Sequence, residues 1–297
     1  MNRKIIAIIT LSVLGLVFIS CNPKMEVPAY IYIDDVQFRV QDDEQGTSSS
    51  KIPSVFIIVD GKDIGCYQLP ALIPVIANGQ TKIQVQAGIK LNGMTAQQVG
   101  NPFYTTYEEM VMLARNEIDT LHPTFSYASN TKFHWIEDFE SAGLLFESMS
   151  GASLEKTNDS SLMFHYGGEL NNFSGIIDIA SEDSVNYFEI KSVIVDLNSN
   201  TVMDCFVELN YRLTHAVEFG IYCHSKNMNY RSKQVGILNL PGQEDPQWNK
   251  IYVNLTDELR NATNTMEMSH YEIYMRGGVP KGESGRFLFD NIKLVYR

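Results

Sequence analysis

From residue 29 onward the apolar residues fall mostly at every second position, the spacing of strands with one buried face. Ile31 and Ile33 alternate with Tyr30 and Tyr32. The phase slips at Asp34-Asp35 before Val36 and Phe38 resume it. A one-residue slip turns a strand over, so a bulge or bend is predicted there. Residues 55–59 read as a buried strand that meets Asp60-Gly61, a hairpin signal, and returns through Ile64 to Leu69. A second turn signal, Asn78-Gly79, leads into Ile83, Val85 and Ala87 set against Lys82, Gln84 and Gln86. Residues 107–116 fit either a helical face or a strand, and their neighbours favour strand. Short strands at this spacing predict a small immunoglobulin-like β-sandwich over 29–122. The acidic, then serine-rich stretch 41–50 is expected to be an exposed loop, and 123–132 a linker.

From Phe133 the pattern is again β and longer. Candidate strands are 162–166, 187–195, 203–213, 217–224, 251–254, 271–275 and 287–296, which predict a larger jelly-roll sandwich over 133–297. The fold class is therefore all-β, with one helical turn at 257–262. Within 203–224, Cys205, Val207, Leu209, Tyr211 and Leu213 share a face, and Val217, Phe219, Ile221 and Cys223 match it on the return. Read as a hairpin centred on Thr214, this sets Cys205 opposite Cys223. A disulfide needs Cβ atoms within about 4 Å, and both the bridge and two reduced core thiols stay open. Cys66 reads as a small buried hydrophobe.

The first twenty residues follow other rules. Arg3 and Lys4 precede an apolar run at 5–19. Fifteen helical residues reach ~22 Å, short of the ~30 Å hydrocarbon core, so the run reads as an export signal and not a span. It ends in Val17-Phe18-Ile19-Ser20-Cys21, which resembles the lipobox of bacterial lipoproteins, with Phe18 where leucine is commoner. The resemblance implies removal of 1–20 and acylation of Cys21, each buried methylene contributing about 0.8 kcal/mol to membrane attachment. The tether 21–28 is short, its residues 22–27 extending roughly 20 Å at most, which puts the first folded element near the bilayer. Asn22 in place of aspartate favours the outer membrane; whether the protein faces periplasm or exterior stays open.

Charge narrows the partners. The chain carries a formal net charge of −12. Loss of Arg3 and Lys4 with the signal moves it to −14, since no acid leaves with them. No basic patch is evident, so nucleic-acid binding is not expected. The six histidines, His122, His134, His165, His215, His224 and His270, show no zinc-site spacing. Nucleophile elbow, phosphate loop and dinucleotide fingerprint are all missing, so no catalytic residue is named and a non-catalytic role is expected.

Two further resemblances bear on role. Val59-Asp-Gly-Lys-Asp-Ile-Gly-Cys-Tyr-Gln-Leu-Pro70, with 46–52, 87–93 and Asn101-Pro-Phe-Tyr104, resembles a group of Bacteroidota lipoproteins, which implies a cell-envelope protein. Ile136-Glu-Asp-Phe-Glu140, 248–255 and 286–296 are similar to carbohydrate-binding, galactose-binding-like jelly rolls. That second likeness implies a structural Ca²⁺ at Glu140 and Asp290, although six or more oxygens are needed and capping of turns without metal is the alternative. Phe206, Asn210, Arg212, Tyr222 and His224 form the candidate binding face, suited to a glycan or to a protein. Thr120 and Ser184 lie in short motifs resembling the O-glycosylation sites of the same phylum. Two roles follow: a non-catalytic lipoprotein docking onto an outer-membrane protein assembly, or a glycan-binding lipoprotein using the jelly roll.

Overall fold

The structure, a computed structural model, describes residues 26–167, 171–197, 202–225, 229–231, 236–238, 246–266, 268 and 270–297. The expected export signal, Cys21 and the start of the expected tether lie outside the described residues. In the first sandwich the strands are β1 (Ala29–Ile33), β2 (Gln37–Phe38), β3 (Ser54–Val59), β4 (Lys62–Gln68) and β5 (Ala71–Val75). They continue as β6 (Gly79–Lys90), β7 (Gln98–Gly100), β8 (Tyr107–Leu113), β9 (Ile118–Thr120) and β10 (Thr124–Phe125). One sheet runs β4-β3-β6-β7 with β8 beside β6; the others are β5-β1-β9 and β2-β10. The phase slip at Asp34-Asp35 is where the chain leaves one sheet for another. The β3–β4 turn has Asp60 at φ 47° and Gly61 at φ 80°, the paired positive values a tight hairpin requires. Residues 107–113 are strand, as their neighbours suggested.

The second sandwich holds β11 (Lys132–Glu137), β12 (Phe146–Gly151), β13 (Glu155–Thr157), β14 (Ser174–Ile179), β15 (Tyr187–Ser192) and β16 (Cys205–Leu213). It closes with β17 (Val217–His224), β18 (Asn229–Arg231), β19 (Gly236–Leu238), β20 (Asn249–Asn254), helix α1 (Thr256–Met266), β21 (His270–Gly278) and β22 (Gly285–Tyr296). One sheet runs β13-β14-β22-β16-β20 with β11 on β22; the facing sheet runs β12-β15-β21-β17-β18 with β19 on β17. Their inner faces bury Phe188, Leu209, Phe219, Ile221, Phe287 and Phe289 in one core. The chain is all-β, a small sandwich followed by a jelly roll. The expected helical turn is a helix of three turns, with Asp257 and Glu258 at its positive end.

Several expectations are corrected. Residues 162–166 form no strand: the Phe164 amide donates to Ser174 Oγ and its carbonyl accepts from Asn171 Nδ2, so side chains satisfy a backbone that a ladder would otherwise hold. The 203–224 hairpin does not exist. β16 pairs with β20 and β22, and β17 with β21, β18 and β19, so residues 214–216 carry the chain across the core between facing sheets. Alternation is the same for strands side by side and strands face to face, which is why the pattern misled. Cys205 and Cys223 are buried free thiols on opposed sheets, and burial pushes the Cys223 thiol up to about 12. Cys66 is exposed, its thiol donating to Gln98 Oε1 at 3.3 Å.

The loop 41–50 is not free in solvent. The Lys293 ammonium, on β22, donates to the carbonyls of Gln45 (2.6 Å) and Thr47 (2.9 Å), and Asn210 donates to Ser49 Oγ at 2.9 Å. The loop thus fastens the first sandwich onto the outer face of β16, β20 and β22. Phe206, Tyr252 and Val295 of that face join the first sandwich's apolar core. Residues 123–132 contribute β10 and the buried Phe125 and Tyr127 to the same cluster.

Candidate functional site

The five predicted binding-face residues do not share a face. Phe206 and Asn210 are buried under the first sandwich. Arg212, at the edge, donates Nε to the Pro246 carbonyl (2.6 Å) and Nη1 to the Ser161 carbonyl (3.0 Å). Tyr222 and His224 alone lie on the uncovered outer face, that of β15, β21 and β17.

Antiparallel register builds that face in rows. Glu189, Arg276 and Glu218 stand abreast on β15, β21 and β17. Lys191, Tyr274 and Gly220 form the next row, and Glu272 with Tyr222 the one after. Gly220 is required there, because a Cβ would stand 2.5 Å from the Tyr274 ring. That ring lies down over the glycine, and Tyr222 packs on it with centroids 5.1 Å apart. Tyr222 then donates its hydroxyl to Glu189 Oε1, and Tyr274 donates to Glu218 Oε1 at 2.9 Å. Arg276 Nε donates to Glu218 Oε2 at 2.7 Å. Lys191 bridges Glu272 (2.8 Å) and Glu147 (3.0 Å), and the Glu272 hydrogen bond holds its ammonium above the ordinary lysine range. His224 Nε2 lies 2.6 Å from the other Glu272 oxygen. The side chains are cross-linked before any ligand arrives, the preorganisation that lowers the entropy cost of binding.

Beside this network a groove of about 500 Å³ is lined by Tyr187, Glu189, Ala216, Glu218, Arg276 and Gly277. Tyr187 is 49% exposed and offers its ring to solvent. An aromatic surface, two carboxylates and a guanidinium around one open groove can stack an apolar ring face and exchange hydrogen bonds with hydroxyls at its edge. Sequence reading found Tyr222 and His224 and missed Tyr187, Glu189, Lys191, Glu218, Glu272, Tyr274 and Arg276. The signal was present: each of the three strands has an outer row of tyrosines and charges.

The calcium pair has another environment. Asp290 accepts from Asn171 Nδ2 (2.8 Å), Ser174 Oγ, and the Asn291 amide (2.7 Å) and Nδ2 (2.9 Å). Glu140 accepts from the Asn172 and Phe173 amides and from Asn172 Nδ2. Donors surround both carboxylates, where a cation would want oxygens, and no cluster of three metal-ligating side chains occurs among the described residues. Burial drives the Asp290 carboxyl up to about 7 against the pull of those donors. Thr120 and Ser184 are both exposed.

No protein-family profile matches the chain, and no curated protein matches its sequence. Solved structures resemble it distantly. A structure described as "Structural basis for the promiscuous specificity of the carbohydrate-binding modules from the beta-sandwich super family" aligns at TM-score 0.38 and 13% identity, over 92% of this chain and 99% of the other. The family 11 carbohydrate-binding module from Clostridium thermocellum, in complex with a β-1,3-1,4-mixed-linked tetrasaccharide, aligns at 0.33 and 16% over 56% of this chain and 96% of its own. A non-crystalline-cellulose-specific carbohydrate-binding module aligns at 0.35 and 11% over 53% and 91%. At such low scores a shared ligand does not follow from the likeness.

Proposed function

We propose that the chain is a non-catalytic, glycan-binding lipoprotein of the cell envelope, held to the outer membrane through Cys21, and that the groove beside Tyr187 and Arg276 receives the sugar. One observation carries this reading: the second sandwich leaves one outer face uncovered and furnishes it with a pre-assembled array of tyrosines, carboxylates and a guanidinium. Sugars present apolar C–H faces and hydroxyl edges, and this array meets both. Because the charges are already paired, the groove suits a neutral or weakly charged polysaccharide. Affinity electrophoresis of the full chain through gels carrying soluble polysaccharides tests it. At least one polysaccharide should retard the chain, and Tyr187→Ala with Arg276→Ala should abolish the retardation; a full panel without retardation defeats the reading. The anchor is tested separately by mass spectrometry of the mature amino terminus, where a diacylglyceryl or triacyl cysteine is expected.

A second reading, docking onto an envelope protein, has its own support. Among the described residues β8 pairs only with β6, and it turns Met110 and Met112 outward, 53% and 67% exposed. Exposed methionines suit an adaptable protein contact. Cross-linking from Met112→Cys in membranes should then capture one partner at stoichiometric yield.

A further inference from the structure

A second cavity, unconnected with the open face, lies where the two sandwiches meet. Its volume is about 270 Å³, room for a single small ligand, and Lys51, Lys90, Lys250, Tyr211, Asn249 and Asn92 stand around it. Both sandwiches build it: Lys51 precedes β3, Lys90 ends β6, and Asn249 and Lys250 open β20. Its walls are fixed by hydrogen bonds across the seam. The Lys51 amide donates to Tyr252 Oη at 3.0 Å, the Asn92 amide to the Tyr252 carbonyl at 2.9 Å, and the Asn254 amide to Asn92 Oδ1 at 2.8 Å.

Charge makes this cavity unusual in so acidic a chain. Three ammonium groups stand around it and, among the described residues, only one of them meets a carboxylate: Lys250 Nζ lies 3.3 Å from Glu208, which is fully buried. Lys250 is itself 5% exposed, and apart from that ion pair its Nζ has no hydrogen-bond partner among the described residues. Lys51 Nζ donates only to Asn249 Oδ1, a neutral acceptor, and Lys90 has no ion-pair partner among the described residues. Burial and then the neighbouring Lys90 charge hold the Lys51 ammonium below its ordinary value. Lys250 is buried with Glu208 as its one counter-charge, whereas Lys51 is exposed and Lys90 half-buried with none among the described residues; an anion between the three would complete the hydrogen bonding of Lys250 and relieve their mutual repulsion.

We infer that this seam cavity is a binding site for one small anionic group, the carboxylate of an acidic sugar or a free oxyanion, gripped by Lys51, Lys90 and Lys250. Tyr211 and Asn249 stand ready for hydroxyls: the Asn249 amide donates to Tyr211 Oη at 3.2 Å, which leaves the tyrosine proton available. Since walls come from both sandwiches, occupancy would also clamp one onto the other, independently of the open face.

Calorimetric titration of the full chain with sodium D-galacturonate, sodium sulfate and uncharged D-galactose, at low and high sodium chloride, tests this. Galacturonate should bind, galactose should not, and raised salt should weaken binding by about tenfold or more. Sulfate binding as tightly as galacturonate assigns the site to oxyanions in general; galacturonate binding alone assigns it to acidic sugars. The double variant Lys51→Met with Lys90→Met should lose about tenfold or more in affinity, while Lys62→Met, at an exposed position on β4, should bind as the parent does. The proposal is overturned if neither anion binds, if galactose binds as well as galacturonate, or if the double variant binds unchanged. The discrimination and salt dependence of the unaltered chain decide the matter even if the double variant fails to fold.

Discussion

The two sheets of the jelly roll have outer faces written in the same alternating pattern, yet one is sealed and the other open. On β16, β20 and β22 the outward residues include Phe206, Glu208, Lys250, Tyr252 and Lys293, and each is buried. On β15, β21 and β17 they include Tyr187, Glu189, Arg276 and Tyr222, which keep contact with solvent. The sealed face pairs its polar groups with the first sandwich: Tyr127 donates to Glu208 Oε2 at 3.0 Å, and Phe206 packs edge-on against Phe103 at 5.1 Å. The open face pairs its polar groups with one another. Polarity alone does not mark a binding surface, because a polar row can be the inside of an interface.

The largest effects should therefore come from the sealed face. Glu208→Ala leaves Lys250 buried without its counter-charge, and Phe206→Ala opens a cavity at the seam; each should cost about 3–5 kcal/mol, read as a lower urea midpoint. The corresponding truncation on the open face, Tyr222→Ala, should cost about 1 kcal/mol or less while cutting polysaccharide retention, and equal costs on both faces would erase the distinction.

Asp290, on the sealed sheet, gives the next largest effect, through pH. Its folded value of about 7 lies above the unfolded carboxylate value, so the native chain binds the extra proton. Stability contributed by that proton is full below about pH 4 and lost as pH rises through about 7, by up to about 4 kcal/mol. Asp290→Asn should flatten this part of the stability–pH curve, and an unchanged slope would remove the assignment.

The smallest effect is chemical and leaves stability alone. Of Cys66, Cys205 and Cys223, only Cys66 should react with an aromatic disulfide reagent in the folded chain, the others reacting after unfolding. Fast reaction at Cys223 would mean that the sheet carrying β17 is more open than described.

Much of the fold was legible in the residues. Alternation located most central strands, Asp60-Gly61 located a hairpin, and the phase slip at Asp34-Asp35 located a change of sheet. What failed had a common cause. Cys205 and Cys223 point inward as predicted, but from facing sheets. Phe206 and Asn210 point outward as predicted, but into the first sandwich. Lys51, Lys90 and Lys250 are scattered across two hundred residues of sequence, and nothing local announces that they meet.

By itself, then, the sequence determined that the chain would fold as strands, and which side of each central strand would be apolar. A period of two divides a strand's side chains between two faces and is fixed by the backbone alone. Only the tertiary structure decided what each face would meet, because strand pairing and sandwich docking join residues far apart in the chain, through shapes and charges that no single segment carries.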